Sequence, residues 1–170
     1  LHRLGMSVFK IASGEITNKP LVKSVARLRK DIILSTGMSD MDEIRRAVEW
    51  VYEQWDGQGR RPALCLLHCV SDYPAMPQDA NLRAMAALRR AFGLPVGFSD
   101  HTQGTEVAAL AVAAGASLIE KHFTLDRRQK GPDHPFAIEP DEAAEMIRHI
   151  RDAEVLLGEA FLGVRKCEEQ

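Results

Sequence analysis

Five short apolar segments, each followed by a stretch with helical periodicity, constrain the fold more than any other feature of this sequence. The apolar segments lie at residues 8–11, 31–35, 63–69, 94–98 and 116–119. The helical stretches lie at residues 20–29, after an Asp40 cap, at 82–92, around Val107, Leu110, Ala111 and Ala114, and at 141–157. Because the strands are apolar and each precedes a helix, the sequence predicts a parallel sheet covered by helices.

Two parallel architectures fit this pattern, a doubly wound open sheet and part of a (β/α)8 barrel. No G-x-G-x-x-G follows the first strand and no Walker loop occurs, so the usual signature of a nucleotide-binding open sheet is missing. Polar residues follow all five strands, whereas an open sheet concentrates them at one switch point. We therefore expect an α/β fold that is a partial (β/α)8 TIM barrel of about five βα units. The chain starts at Leu1 without an initiator Met, so the three other units are expected to precede it.

The charge balance and the cysteines limit the class of function. The chain has 22 Lys and Arg residues against 24 Asp and Glu residues, with a net charge of -2 and no basic block, so we expect neither nucleic acid nor a membrane as partner. Cys65, Cys69 and Cys167 are odd in number and lack a C-x-x-C spacing, which predicts free thiols in a reducing compartment. No signal sequence and no apolar run of about 18 residues occurs. We expect a cytoplasmic protein.

Two histidines follow neighbouring strands of the predicted sheet. His101 lies in a Ser-Asp-His cluster after the fourth strand, and His122 lies in a Glu-Lys-His cluster on the fifth. Because the carboxyl ends of parallel strands lie on one side of a sheet, the two side chains should approach each other. Two imidazoles can supply half the protein ligands of a divalent metal. The alternative is that each histidine is only a hydrogen-bonding residue at the end of a strand.

The first two strands and the fourth end in groups suited to an anion. Lys10 lies within a buried-looking strand, where it either pairs with Glu15 or receives a carboxylate or phosphate. Ser13 follows it closely. Ser35 and Ser99 place hydroxyl and backbone N–H groups at turns that lead into helices, which suits phosphate oxygens. Such residues also cap helices for ordinary reasons.

The last strand and the loop after it bring carboxylates towards the histidines. Alternation along this strand puts Glu120 and His122 on one face, where either both act in chemistry or the strand end reaches water. The loop at residues 131–134 reads Gly-Pro-Asp-His and should place Asp133 above the proposed metal. A simple turn is the alternative for this loop.

At this point the chain resembles a known family. The motifs FKIASGEITNKPL, ILSTGMSDMDEI, LLHCVSDYP, GLPVGFSDHTQGTEVAALAVAAGASLIEKHFTLD and KGPDH together are similar to the N-acetylneuraminate (sialic acid) synthase family, over residues 4–158. The resemblance implies a (β/α)8 catalytic barrel that condenses phosphoenolpyruvate with an N-acetylated hexosamine, such as N-acetylmannosamine, and releases phosphate. It also implies a divalent metal, Mn²⁺ or Mg²⁺, and a homodimer. On this basis residues 1–158 are part of the barrel, and residues 159–170 are a tail that leads towards a further C-terminal domain.

The resemblance also assigns roles, position by position. His101 and His122 match metal ligands. Lys10 and Ser13 match residues at the carboxylate of phosphoenolpyruvate, and Ser35 and Ser99 match phosphate contacts. The residues that match positions around the sugar and the reacting carbons are Glu15, Tyr73, Glu120 and Asp133, of which the three carboxylates are the expected catalytic groups. Val70 and Ser71 stand where many members have Thr-Asn, so the identity of the sugar stays open.

Two other interpretations remain open at the level of sequence. A Schiff-base aldolase of the barrel class would use Lys10 or Lys121 as its nucleophile. Alternatively, the 170 residues only bind a ligand or are an inactive remnant. If the barrel is partial, the chain by itself is expected to be inactive.

Overall fold

The five predicted strands form one parallel sheet in the computed structural model, which describes residues 2–57, 59 and 61–168. The strands are β1 (Val8–Ile11), β2 (Asp31–Ser35), β3 (Leu64–Cys69), β4 (Val96–Asp100) and β5 (Ile119–Lys121). They lie side by side in the order in which they occur along the chain. A doubly wound sheet reverses its order at a switch point, and this sheet does not. The expectation of a partial barrel is confirmed.

One α-helix follows each strand along the chain. The helices are α1 (Lys19–Ala26), α2 (Met41–Trp55), α3 (Ala84–Phe92), α4 (Glu106–Ala113) and α5 (Pro140–Leu157). Asp40 caps α2 as predicted, because its carboxylate accepts the N–H groups of Asp42 and Glu43. Gly93 ends α3 in the left-handed conformation, which glycine adopts without a Cβ penalty.

The hydrophobic core lies between the sheet and the helices. On β1, for example, the alternate residues Phe9 and Ile11 are buried on this outer face. Trp55, at the end of α2, is fully buried and its indole N–H donates to the carbonyl of Ala26 at 2.9 Å. This bond ties α2 to α1 and satisfies the polar atom of the indole.

The opposite, inner face of the sheet carries polar groups towards the carboxyl ends of the strands. Ser99 is aligned with Cys69 on β3 and with Glu120 on β5. Lys10 occupies the equivalent face of β1, since it alternates with the buried Phe9 and Ile11. The parallel register therefore gathers these groups at one edge of the sheet, as the sequence predicted.

Several predicted limits were wrong by a few residues. We expected the fourth strand at residues 94–98 and the fifth to begin at residue 116, but they are Val96–Asp100 and Ile119–Lys121. Asp100 and Lys121, at the ends of these strands, pair with each other. The spacing expected for α4 holds in part: Ala111 is buried as expected, together with Ala108, whereas Leu110 is 59% exposed. The small residues of this helix face the sheet.

The remaining expectations concern the termini, the cysteines and membranes. Leu1 and residues 169–170 lie outside the described residues. In the tail, residues 159–168 are exposed. Cys65, Cys69 and Cys167 are free thiols, as predicted. None of the helices in the described ranges combines the length and the hydropathy that crossing a bilayer requires.

Within the described residues, β1 and β5 each pair on one side only, and Leu4, Met6 and Val8 near β1 are exposed. An unpaired strand edge is a template for pairing with other chains. We therefore expect the 170-residue chain, purified alone, to self-associate and to bind a hydrophobic dye. Light scattering and dye fluorescence measure both properties. A monomer that unfolds cooperatively and binds no dye would contradict this prediction.

Candidate active site

A cavity of about 380 Å³ opens at the carboxyl ends of the strands. We call it the main cavity, and its lining residues are Lys10, Ala12, Ser13, Ser35, Tyr73, Ser99, His101, Glu120, Lys121 and His122. Every residue predicted for the site lies here except Glu15 and Asp133. The topology therefore brings together side chains from β1, β2, β4 and β5 and from the loop after β3, as the location of active sites in parallel barrels predicts.

His101 is held in one orientation by the chain itself. Its Nδ1 lies 2.6 Å from the carbonyl oxygen of Val70, so Nδ1 carries the proton and donates it. Burial lowers the pKa of His101, and the nearby His122 lowers it further. The ring is therefore neutral, and its Nε2 carries a lone pair.

Among the described residues, no hydrogen-bond donor supplies a proton to the lone pair of His101 Nε2. Ser99 Oγ lies 3.2 Å from this nitrogen and 2.7 Å from Glu120 Oε1. A hydroxyl has one proton to give, and the shorter, charge-assisted bond to the carboxylate takes it. A buried lone pair without a donor is the kind of group that a cation satisfies.

His122 stands beside His101, with 5.5 Å between the ring centroids. Its Nδ1 lies 3.8 Å from Asp133 Oδ2, so Asp133 does reach the histidines although it does not line the main cavity. Within the described residues, no group of three or more His, Cys, Asp and Glu side chains is arranged to hold a metal. The two histidines would supply two ligands at most, and the metal stays a prediction.

Lys10 pairs with a different carboxylate from the one expected. Its Nζ lies 3.4 Å from Glu120 Oε1, and Glu15 instead accepts from the side-chain amide of Asn18 at 2.7 Å. Of the two alternatives for Lys10, the pair with Glu15 does not form. Glu15 is exposed at the end of the short turn Ser13–Glu15 and is not among the residues that line the main cavity. Its catalytic role stays a prediction.

A cluster of small polar groups forms the wall next to Lys10. Ser13 Oγ accepts the N–H of Gly37 at 3.1 Å and lies 3.0 Å from Cys69 Sγ. A Cβ at Gly37 would overlap Ser71 Oγ and lie 2.8 Å from Cys69 Sγ, so the close approach requires glycine. Ser35 is only 2% exposed, and its Oγ has no hydrogen-bond partner among the described residues. A buried hydroxyl without a partner is a group that a ligand or an ordered water can satisfy.

Asp100 and Lys121 form a buried ion pair behind the histidines. Lys121 Nζ lies 2.8 Å from Asp100 Oδ2 and 2.6 Å from the carbonyl of Thr102. Asp100 Oδ1 accepts both the N–H and the hydroxyl of Thr102. The two side chains are 4% and 0% exposed. Each residue directly precedes one of the two histidines, so the pair fixes the separation of the two loop starts.

Aromatic rings surround the exposed side of the histidines. Tyr73 lies 4.3 Å from His101 and 5.7 Å from His122, centroid to centroid. Burial raises the pKa of Tyr73, and Cys69, Asp133 and Glu120 add to the shift. Phe136 contacts both Tyr73, at 5.3 Å, and His122, at 5.0 Å. Sequence reasoning missed Phe136 because a single aromatic residue between Pro135 and Ala137 has no periodicity that marks a site.

The loop that carries Asp133 and Phe136 is anchored from both sides. Arg127 donates from Nε to the carbonyl of Ala137 at 2.8 Å and forms an ion pair with Glu142 on α5. Thr124 Oγ1 lies 2.7 Å from His134 Nδ1. The loop is therefore held against α5 and the end of β5.

A family model described as the NeuB family matches residues 1–161. An N,N'-diacetyllegionaminic acid synthase of Campylobacter jejuni is 44% identical over 170 residues, which is 100% of this chain and 50% of that protein. One of Legionella pneumophila is 48% identical over 158 residues, which is 93% of this chain and 44% of that protein. The chain thus spans about half the length of the curated relatives it matches.

A solved structure has the same fold. The crystal structure of an N-acetylneuraminic acid (sialic acid) synthetase from Leptospira borgpetersenii, in complex with citrate, superposes with a TM-score of 0.89 and 37% identity. The match covers 99% of this chain and 57% of that one. The fold of the sheet and its helices is thus shared with that synthetase over nearly the whole length of this chain.

The buried ion pair gives a prediction about stability. In the full-length protein, Lys121→Met should lower the free energy of unfolding by about 3–5 kcal/mol, because it leaves the Asp100 carboxylate buried and unpaired. Adding Asp100→Asn should recover part of this loss, since no unpaired charge then remains. Urea unfolding measures both effects. The control is Arg151→Met, which removes an exposed pair with Glu154 and should change stability little. A double variant less stable than Lys121→Met would refute the explanation.

Proposed function

Because the chain belongs to the NeuB family, we propose that the protein containing it condenses phosphoenolpyruvate with the aldehyde of an N-acetylated amino sugar. The products are a nonulosonic, sialic-type acid and phosphate. The observation that carries the proposal is the composition of the main cavity, which is lined by Lys10 and Ser35 as well as by the histidine pair. The phosphoenolpyruvate anion needs a cation and hydroxyl groups, and the aldehyde needs the metal that the histidines would hold.

The end of the main cavity near Lys10 suits phosphoenolpyruvate. Lys10 keeps 30% of its side chain exposed, so its ammonium group has room for an anion beside Glu120. Ser35 supplies a hydroxyl that no described residue uses, and Ser13 stands next to it on the same wall. A cation with several hydroxyl donors is the usual recognition of carboxylate and phosphate oxygens. In the proposal, Lys10 and Ser13 hold the carboxylate, and Ser35 and Ser99 contact the phosphate.

The two histidines of the main cavity fit a divalent metal. His101 presents a neutral ring whose Nε2 lone pair accepts no proton, and His122 stands next to it. These two residues would hold Mn²⁺ or Mg²⁺, with substrate oxygens or water as further ligands. When bound, such an ion acts as a Lewis acid that polarises an aldehyde oxygen.

The carboxylates of the site are placed for proton transfer and orientation. The enol carbon forms a bond to the aldehyde carbon, water adds to the carbon that bears the phosphate ester, and phosphate leaves as its C–O bond breaks. The added water must lose a proton and the new alkoxide must gain one. Glu120 lies between Lys10 and Ser99, and Asp133 lies beside His122. We assign the proton transfers to these two groups and the contact with the sugar to Tyr73 and Glu15.

The structure offers little support for a Schiff-base aldolase. The ammonium group of Lys121 is buried and bonded to Asp100 and Thr102, so its nitrogen has no free lone pair to attack a carbonyl. Lys10 is paired with Glu120. Treating the full-length protein with pyruvate and borohydride should therefore leave no adduct on either lysine. A trapped imine would favour the aldolase.

The proposed setting is the cytoplasm, as a homodimer of the full-length protein. The three free thiols support a reducing compartment, because disulfides are rare in such compartments. Phosphate release by the 170-residue chain alone is not expected, since both substrates would be enclosed from one side only and rate enhancement by orientation requires them to be fixed.

The histidine pair gives the test of the proposed function. The full-length protein should release phosphate from phosphoenolpyruvate only when an N-acetylated amino sugar and Mn²⁺ or Mg²⁺ are present. His122→Ala should lower this rate by at least ~100-fold, since even residues behind a metal ligand commonly matter by ~10–100-fold. His149→Ala, in a histidine on the outside of α5, is the matched control. Full activity of chelator-treated His122→Ala would contradict the assignment.

Lys10 gives a second kinetic prediction. Lys10→Met should raise the KM for phosphoenolpyruvate by about 10-fold to 100-fold, the effect of losing one charge-assisted hydrogen bond, while the KM for the sugar changes little. Steady-state kinetics with each substrate varied in turn measures the two values. Lys166→Met, in the exposed turn Lys166–Glu168, serves as control. An unchanged KM for phosphoenolpyruvate would mean that Lys10 only neutralises Glu120.

A further inference from the structure

The thiol of Cys69 contacts a residue of the main cavity without lining the cavity itself. Its Sγ lies 3.0 Å from Ser13 Oγ, and Ser13 lines the main cavity whereas Cys69 does not. Cys69 is the last residue of β3 and is 5% exposed. Any effect of the thiol on a ligand in the main cavity therefore passes through Ser13.

The fold makes this contact close. A Cβ at Gly37 would lie 2.9 Å from Ser13 Oγ and 2.8 Å from Cys69 Sγ, so both atoms lie around the same point. Three neighbouring strands supply the three residues, since Ser13 follows β1, Gly37 follows β2 and Cys69 ends β3. The contact between the hydroxyl and the thiol is thus a product of the parallel sheet.

The number of protons decides what the Ser13 hydroxyl can offer a ligand. A hydroxyl has one proton and two lone pairs, and the N–H of Gly37 donates to one lone pair at 3.1 Å. Either atom of the contact between Ser13 and Cys69 can be the donor. If Ser13 donates to the sulfur, it has no proton left for a ligand. If the thiol donates, both lone pairs are filled and the Ser13 proton is free.

An anion in the main cavity favours the second arrangement. A bond from a hydroxyl to a carboxylate or phosphate oxygen is charge-assisted, whereas a thiol sulfur is only a weak acceptor. A bond donated to the Ser13 oxygen also polarises its O–H group and strengthens the bond that this group donates. Ser71 Oγ lies close to the same point, but it has no hydrogen-bond partner among the described residues, so it does not hold the thiol proton.

We propose that Cys69 is a positioning residue for the anionic substrate. Its S–H group donates to Ser13 Oγ and thereby directs the Ser13 proton towards the anion. The sulfur forms no covalent bond and transfers no proton, so the thiol stays neutral throughout the reaction. This inference rests on the proposed function, in which Ser13 holds the carboxylate of phosphoenolpyruvate, and adds Cys69 to the residues that determine its affinity.

Calorimetric titration of the full-length protein with phosphoenolpyruvate tests the proposal. Cys69→Ala removes the donor and should raise the Kd about 2-fold to 10-fold, the effect of one neutral hydrogen bond. Cys69→Ser keeps a donor and should recover most of the affinity. The matched control is Cys65→Ala, in a second thiol of β3 that does not line the main cavity. It should leave the Kd unchanged.

Steady-state kinetics and a double-mutant cycle show whether the thiol acts through Ser13. Cys69→Ala should raise the KM for phosphoenolpyruvate and leave kcat and the KM for the sugar unchanged, because the bond serves binding alone. In Ser13→Ala, adding Cys69→Ala should cause no further loss, since no hydroxyl remains to be oriented. Independent effects would instead multiply. Losses that multiply would refute the proposal, because the thiol would then act only on the packing of the wall.

The S–H stretching band of Cys69 gives a readout that does not depend on turnover. The infrared difference between the wild-type protein and Cys69→Ser assigns this band among the three thiols. A thiol that donates a hydrogen bond absorbs at a lower frequency than a free thiol. With phosphoenolpyruvate bound, the band should therefore lie lower in the wild-type protein than in Ser13→Ala. A band at the same frequency in both proteins would show that the thiol does not donate to Ser13.

The outcomes separate this inference from the proposed function. A wild-type protein that does not bind phosphoenolpyruvate would remove the proposed function and the inference together. Wild-type binding with an unchanged Kd in Cys69→Ala would leave the proposed function standing and overturn the inference alone. If Cys69→Ala does not fold, the infrared band decides, since it needs only the wild-type protein, Cys69→Ser and Ser13→Ala.

Discussion

The buried ion pair between Asp100 and Lys121 is the interaction on which the geometry of the candidate site depends. The two residues face each other across β4 and β5 and directly precede His101 and His122. Two charges removed from water tolerate little change in their separation, because each restores to the other the solvation that burial removes. The carboxylate also holds the backbone at Thr102. The histidines therefore leave their strands at a separation that the fold sets before any ligand binds.

The two faces of the sheet have different tasks, and the strand period of two residues separates them. The outer face is apolar and packs under the helices, so it supplies most of the stability. The inner face carries Lys10, Ser99 and Glu120 at the carboxyl ends. Neighbouring residues point to opposite faces, so Asp100 lies outside the lining of the main cavity, whereas its partner Lys121 also lines that cavity.

Much of the fold follows from local sequence, whereas the pairing of charges does not. Apolar runs with clear ends gave β1 and β2 correctly, and the parallel arrangement then predicted that strand-end polar groups would meet. The end of β4 was missed because Asp100 is tolerated there only by a partner 21 positions away. The partner of Lys10 depends likewise on a side chain from the opposite edge strand of the sheet. Phe136 lies in a proline-rich loop, where no periodicity indicates which side chain faces a cavity.

The anchoring of the loop by Arg127 has a consequence for how such proteins diversify. Arg127 joins the backbone at Ala137 to Glu142 on the outer helix, and Glu139 at the start of that helix accepts the N–H of Arg127. Segment 126–142 is therefore one structural unit, because these bonds join its loop to the start of α5. Exchanging the loop alone between homologues would break the contacts of Arg127 with the loop and with α5. Exchanging the whole segment would replace the loop together with the residues that hold it. Recombination and protein engineering should thus cut outside this segment.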